Sequence, residues 1–113
     1  MEIGIFIYNI YYKKKYLDYI IIMRLKYYPY VSDIPNKKFY IITNDRRLYF
    51  GDSRYEHFTE GHLDHNRRKN YMNRHKKNES WNNIDSAGFW SFHYLWEFPT
   101  YKEAYENIKK IYL

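Results

Sequence analysis

The apolar and polar positions of this chain change rhythm three times. Residues 1 to 22 hold a dense apolar run from Ile3 to Tyr12, broken by Lys13, Lys14 and Lys15 and then by Asp18, with no clean period. From Arg24 the pattern sharpens. "RLKYYP" reads as a short strand at 24–29, stopped by Pro29 and the loop that follows. "KKFYIIT" at 37–43 is rich in β-branched and aromatic residues, which suit a pleated, half-buried surface. Asn44 and Asp45 then supply a turn, because both tolerate positive φ and bond their own backbone. "RRLYFG" at 46–51 returns as the next strand, giving a hairpin with 24–29 beside it as a third strand.

After residue 51 the pattern turns helical. "HLDHNRRKNYMNRHKK" at 62–77 lacks Gly and Pro and is too densely charged on all sides for a strand, so it predicts a helix. A second helix is predicted over 86–96, capped by Asp85 or Ser86. Phe89, Trp90, Phe92, Leu95 and Trp96 nearly encircle it and should bury most of it. Thr100 with Glu103 three residues on has the form of a capping box for a last helix over 100–112. Its inner stripe is Ala104, Tyr105, Ile108, Ile111 and Tyr112. Strands followed by helices define an α+β class, here a three-stranded antiparallel sheet followed by three helices. The expected core is Phe39, Ile41, Leu48, Phe50, Tyr71, Trp81, Phe89, Trp90, Leu95, Trp96 and Ile108. The organisation expected is an N-terminal extension, 1–22, and one small α+β domain, 23–113.

Composition alters this picture in three ways. The chain has 113 residues, the size of one domain, and a net charge of +6, which favours polyanionic partners such as nucleic acid. It has 16 Tyr, and the accompanying abundance of Ile, Lys and Asn points to A/T-rich codons, so not every Tyr is read as a stacking platform. It has no Cys, which excludes disulfides, thiolate metal sites and a Cys nucleophile. The first apolar run is too short to span a bilayer, which takes about 20 residues, and its lysines follow it rather than precede it as in a signal peptide. No membrane association is expected.

The chemistry concentrates at 62–81. On a helix, Asp64, Arg67, Tyr71, Arg74 and Asn78 share one face, which could pack on the sheet as an Asp–Arg–Tyr network. The other side carries Arg68, Lys69, His75, Lys76 and Lys77, which could lie along phosphates, giving affinity without sequence choice. His57, His62 and His65 surround Asp64, but compact zinc sites usually add Cys. His75 and Glu79, at i and i+4, have the spacing of an acid–base pair and equally of a surface pair. With His62 and Asp64 they outline a rival reading, a metal-dependent nuclease. The aromatic residues of 81–96 suit a core better than a base-stacking surface. The four glycines are scattered, so no phosphate loop exists and no cofactor is expected.

One string of motifs stands out: Thr59, His62, Asp64, Arg67, Tyr71, Arg74, His75, Glu79 and Trp81, then "AGFWS" to Trp96, then Pro99 and Thr100. From about residue 23 to 113 it resembles a family of uncharacterised small proteins of nucleocytoplasmic large DNA viruses. The sequence departs from that pattern by an extra residue between Thr59 and His62 and at "SFHYLW". The resemblance implies a viral protein, located in the virion or the infected-cell cytoplasm, and implies no activity. The combined expectation is a non-enzymatic basic protein that contacts nucleic acid or other virion proteins through Arg67, Arg68, Lys69, Arg74, Lys76 and Lys77. A purely structural interaction module is the third reading. Open sheet edges would also suit a homodimer.

Overall fold

A computed structural model describes residues 26–76 and 81–113. The extension at 1–22, the first residues of the predicted strand at 24–29, and Lys77, Asn78 and Glu79 lie outside the described residues. The architecture is α+β: a three-stranded antiparallel sheet, in the order β1-β2-β3, followed by helices. β2 spans Lys37–Thr43 and β3 spans Arg46–Asp52. Asn44 and Asp45 join them with φ of 49° and 61°. Two successive positive φ values match the right-handed twist of the flanking strands, which is why Asn and Asp serve here. Register pairs Phe39 with Phe50 and Ile41 with Leu48, so one face of the hairpin carries the apolar side chains.

The third strand is displaced from its predicted place. β1 is Tyr30–Val31, paired with Tyr40 and Phe39. Pro29 has no amide to give a ladder, and Tyr27 stands at φ 66°, so the chain joins the sheet only after the proline. Tyr27 and Tyr28 pack inward instead, Tyr27 against Trp90 and Tyr28 edge-on to Tyr105 at 5.2 Å.

The first helix also starts later than its composition suggested. Phe58–His62 is a wide turn closed by bonds from the His62 amide to the His57 carbonyl and from the Leu63 amide to the Phe58 carbonyl. Glu60 and Leu63 take positive φ, which breaks any helix from 62. Helix α1 is His65–His75, with Asp64 accepting the amides of Asn66 and Arg67 as its N-cap. The wide turn is stapled to the segment before the last helix. The Thr59 hydroxyl donates to the Phe98 carbonyl at 2.6 Å, and the Glu60 amide to the Pro99 carbonyl at 2.8 Å. The Glu60 carboxylate accepts the Tyr101 amide, placing negative charge at a helix N-terminus.

Helix α2, Ala87–Ser91, continues into a wider π-helical turn, Phe92–Trp96. Ser86, not Asp85, caps it, accepting the Phe89 amide. Helix α3 is Tyr101–Tyr112, and Thr100 accepts the Glu103 amide as expected. The core gathers Ile41, Phe50, Phe89, Trp90, Tyr94, Leu95, Ala104, Tyr105 and Ile108. The Trp90 indole donates to the Ile84 carbonyl, and the Tyr94 hydroxyl to the Tyr27 carbonyl. These two rings therefore satisfy their polar handles inside. Phe39, Leu48, Trp81 and Trp96 from the expected core are only half-buried, while Phe58 and Tyr94 join it. On α3 the stripe stops at Ile108: Ile111 is 51% exposed.

Gly51 fixes how the hairpin meets α2. Its φ is 79°, and a Cβ there would lie 2.8 Å from Leu95 Cδ1 and 3.2 Å from Lys38 Cβ. Only a residue without a side chain lets Leu95 close on the sheet at this point.

Candidate nucleic-acid interface

The arginines of α1 are arranged opposite to the pattern expected from its sequence, while Tyr71 is buried and Lys69 and Lys76 are exposed as expected. Arg68, expected to face outward, is drawn into the protein. Its Nε donates to the Trp96 carbonyl at 2.6 Å and one terminal nitrogen to the Glu97 carbonyl at 3.2 Å. Its guanidinium also lies over the Phe58 ring. The last carbonyls of the α2 segment have no intrahelical partner, and a fixed fork of donors fits them. Arg68 is therefore a clamp between α1 and the end of α2, which removes it from the outward set.

Arg67 and Arg74, placed by the sequence reading on a packed face, are exposed. They line a cleft of about 710 Å³ between α1, α2 and the end of the hairpin. The Asp64 carboxylate takes the backbone amides of Asn66 and Arg67 as the helix cap and makes no ion pair with the Arg67 guanidinium. The cap bonds keep the Asp64 carboxyl below its usual pKa. Tyr71 is the buried member of the face. Its ring lies on Trp96 at 4.2 Å, almost parallel, and against His75 at 4.3 Å, and its hydroxyl donates to Ser91. The expected network is thus an aromatic stack at the cleft wall, with the arginines left at the rim.

Two further cations reach the same cleft from β2: Lys37, exposed, and Lys38, half-buried. In the sequence this pair reads only as the start of a strand. Their approach to Arg67 and Arg74 depends on packing between distant segments and had no local signal. The acids at the cleft are Asp52 and Glu56. Arg54 binds Asp52 through two side-chain bonds, and these hold its carboxyl down at about 2. The positive charge at the rim is therefore in excess.

His57 closes the inner end. Its Nδ1 meets Lys38 Nζ and its Nε2 lies 2.8 Å from the Tyr101 hydroxyl. Burial, reinforced by the Lys38 ammonium, pulls the His57 pKa down to about 4, so the ring is neutral at pH 7. Nδ1 then accepts from the ammonium, and Nε2–H donates to the Tyr101 oxygen. Burial also lowers the Lys38 pKa, opposed by Asp52 and Glu56, and raises that of Tyr101 to about 12. Lysine, histidine and tyrosine form one chain from the cleft into the protein.

Lys69 and Lys76 are exposed on the outer side of α1, away from the cleft lining, and Lys77 is outside the described residues. Among the described residues the metal-site candidates are not assembled. His62 Nδ1 accepts the Asp64 amide at 2.8 Å, a local role at the helix start. The ring of His65 packs on Phe58. Helix α1 spans 11 residues, about 16 Å at roughly 1.5 Å per residue, and keeps Asp64 and His75 at opposite ends. Among the described residues no group of three or more His, Asp or Glu could hold a metal ion. Nor is any helix there long and apolar enough to cross a membrane.

A family of unknown function (DUF5754) is similar to this chain over residues 30–75. The matched span runs from β1 to the end of α1, and so includes Lys37, Lys38, His57, Arg67 and Arg74 but not α2 or α3. Neither a curated protein nor a solved structure shows significant similarity to the chain.

Proposed function

We propose that this protein is a non-enzymatic, basic nucleic-acid-binding module. The observation that carries the reading is the convergence of Lys37, Lys38, Arg67 and Arg74 on one cleft from a strand and a helix distant in sequence. Lys69 and Lys76 extend the positive surface outward along α1. A phosphate backbone crossing the rim would be held by charge and by the forked donors of the arginines. In the setting implied by the resemblance, a large DNA virus, the partner is nucleic acid in the particle or the infected-cell cytoplasm. The test is binding of labelled duplex DNA to the full chain by fluorescence anisotropy across a salt series. The expected log–log slope corresponds to several phosphates, and the Arg67→Ala, Arg74→Ala double variant reduces it by about two. Absence of binding at low salt to both duplex and single-stranded DNA overturns the reading.

Docking to other proteins, or to a second copy, is the alternative. It draws on β3 as the last strand of the sheet and on two exposed apolar side chains, Val31 of β1 and Ile42 of the hairpin. Sedimentation of the full chain distinguishes the two, since a dimer would sediment as one without nucleic acid.

A further inference from the structure

The cleft has a second character beyond its charge. Its exposed rim is cationic, but its depth is formed by buried or half-buried apolar groups: Phe50, Leu95, Tyr71 and Trp96. On the α2 side, Ala87 and Gly88 offer little bulk. A site meant only for phosphates would need no such interior, because a duplex presents its phosphates outward and keeps its bases stacked inside. A volume of about 710 Å³ falls within the range of small-ligand sites, roughly 300–1,000 Å³. The matching ligand is a flat, largely apolar ring system attached to an anion.

We propose that the cleft seats a single unpaired nucleotide, with its base against the half-buried Trp96 and Ala87, above the floor of Phe50 and Leu95, and its phosphate at Lys37, Arg67 and Arg74. This rests on the nucleic-acid reading and names the form recognised: a single strand or an unpaired end, in preference to a duplex. Lys38 and His57 sit at the inner end, where a donor from Lys38 can meet a base carbonyl or ring nitrogen. Asn70, also at the cleft, offers a side-chain amide with both donor and acceptor. Apolar contact supplies tolerance of different bases, and these polar groups supply whatever preference exists.

The experiment is competition. A labelled single-stranded oligonucleotide is bound to the full chain, and a nucleoside monophosphate or inorganic phosphate is added at matched ionic strength. The nucleotide is expected to displace the strand at concentrations where phosphate does not. Gly88→Leu, which fills the cleft and favours the helix, should weaken single-strand binding by about tenfold, the scale of one lost base contact, and leave duplex binding within about twofold. Melting of that variant shows whether it folds. Arg74→Glu, an exposed rim change, weakens nucleotide binding independently of cleft filling. If oligonucleotides bind but the nucleotide competes no better than phosphate, the seat is overturned and the nucleic-acid reading stands. If the nucleotide binds while no oligonucleotide does, the seat stands and the nucleic-acid reading falls. Equal loss of single-strand and duplex binding in a folded Gly88→Leu protein also overturns the seat.

Discussion

Arg67 and Arg68 are adjacent in sequence and opposite in role. One lies exposed at a cleft rim, and the other is clamped to the carbonyls of Trp96 and Glu97. Successive helix positions are turned by about 100°, so neighbours of identical chemistry meet different surroundings. The difference teaches that charge on a helix marks its exposed side only where nothing nearby needs a donor. The unpaired carbonyls at the end of α2 need two, and Arg68 is the side chain in reach.

That contrast can be broken by substitution, and the largest effect should come from Arg68. Arg68→Ala leaves two carbonyls short of a donor and removes the cover over Phe58. Hydrogen bonds to charged groups contribute about 1.5–3 kcal/mol, so a loss of about 3 kcal/mol in unfolding free energy is expected in denaturant titration. Arg68→Lys should recover only part of it, since an ammonium cannot fork between the two acceptors.

Acidification comes next. The unfolded chain protonates His57 near 6.5 and the folded chain only near 4, so the unfolded state gains protons first as pH falls. Stability is therefore complete above about 6.5 and declines between 6.5 and 4, by about 2 kcal/mol once solvent around the half-buried ring is allowed for. His62, also shifted down by burial, acts in the same direction. The cap carboxylate of Asp64, depressed by its backbone bonds, adds a further loss at lower pH as it is protonated. Thermal melting at pH 7 and pH 4.5 should show a marked decline in the natural protein and a smaller one in His57→Gln.

Asp64→Ala removes the α1 cap and should lower stability by about 1 kcal/mol without touching the rim cations. The smallest stability effect belongs to Arg67→Ala and Arg74→Ala, each within about 0.5 kcal/mol by melting, because both are exposed. Those two should instead be the ones that alter the salt dependence of DNA binding. If Arg68→Ala weakened DNA binding without lowering stability, the contrast between the two arginines would be inverted.

The hairpin and the last helix were legible from the chain alone. In the hairpin, β-branched and aromatic alternation flanks an Asn–Asp turn, and every one of those signals lies within a few residues of its effect. Thr100 caps α3 for the same reason: the hydroxyl and the amide it accepts are three residues apart. The start of α1 was misread because nothing between His62 and Asp64 forbids a helix locally. Glu60 stands at positive φ in a turn stapled through Thr59 and Glu60 to Phe98, Pro99 and Tyr101, some forty residues on, and Leu63 closes that turn at positive φ. The predicted strand at 24–29 failed where Tyr27 and Tyr28 found better burial under the helices than in the sheet.

The candidate site divides along the same line. Its charge was visible: the basic composition, and Arg67 and Arg74 one helix face apart, were properties of the sequence. Which arginine reaches solvent, and that Lys37 and Lys38 stand across from α1 while His57 bridges Lys38 to Tyr101, were not. Sequence fixes periodicity, caps and turns because these arise from interactions between residues a few positions apart. Tertiary packing chose the face of α1 that was buried, since that choice depended on where the carbonyls of Trp96 and Glu97 and the ring of Phe58 came to rest, and no local pattern carries the position of a distant acceptor.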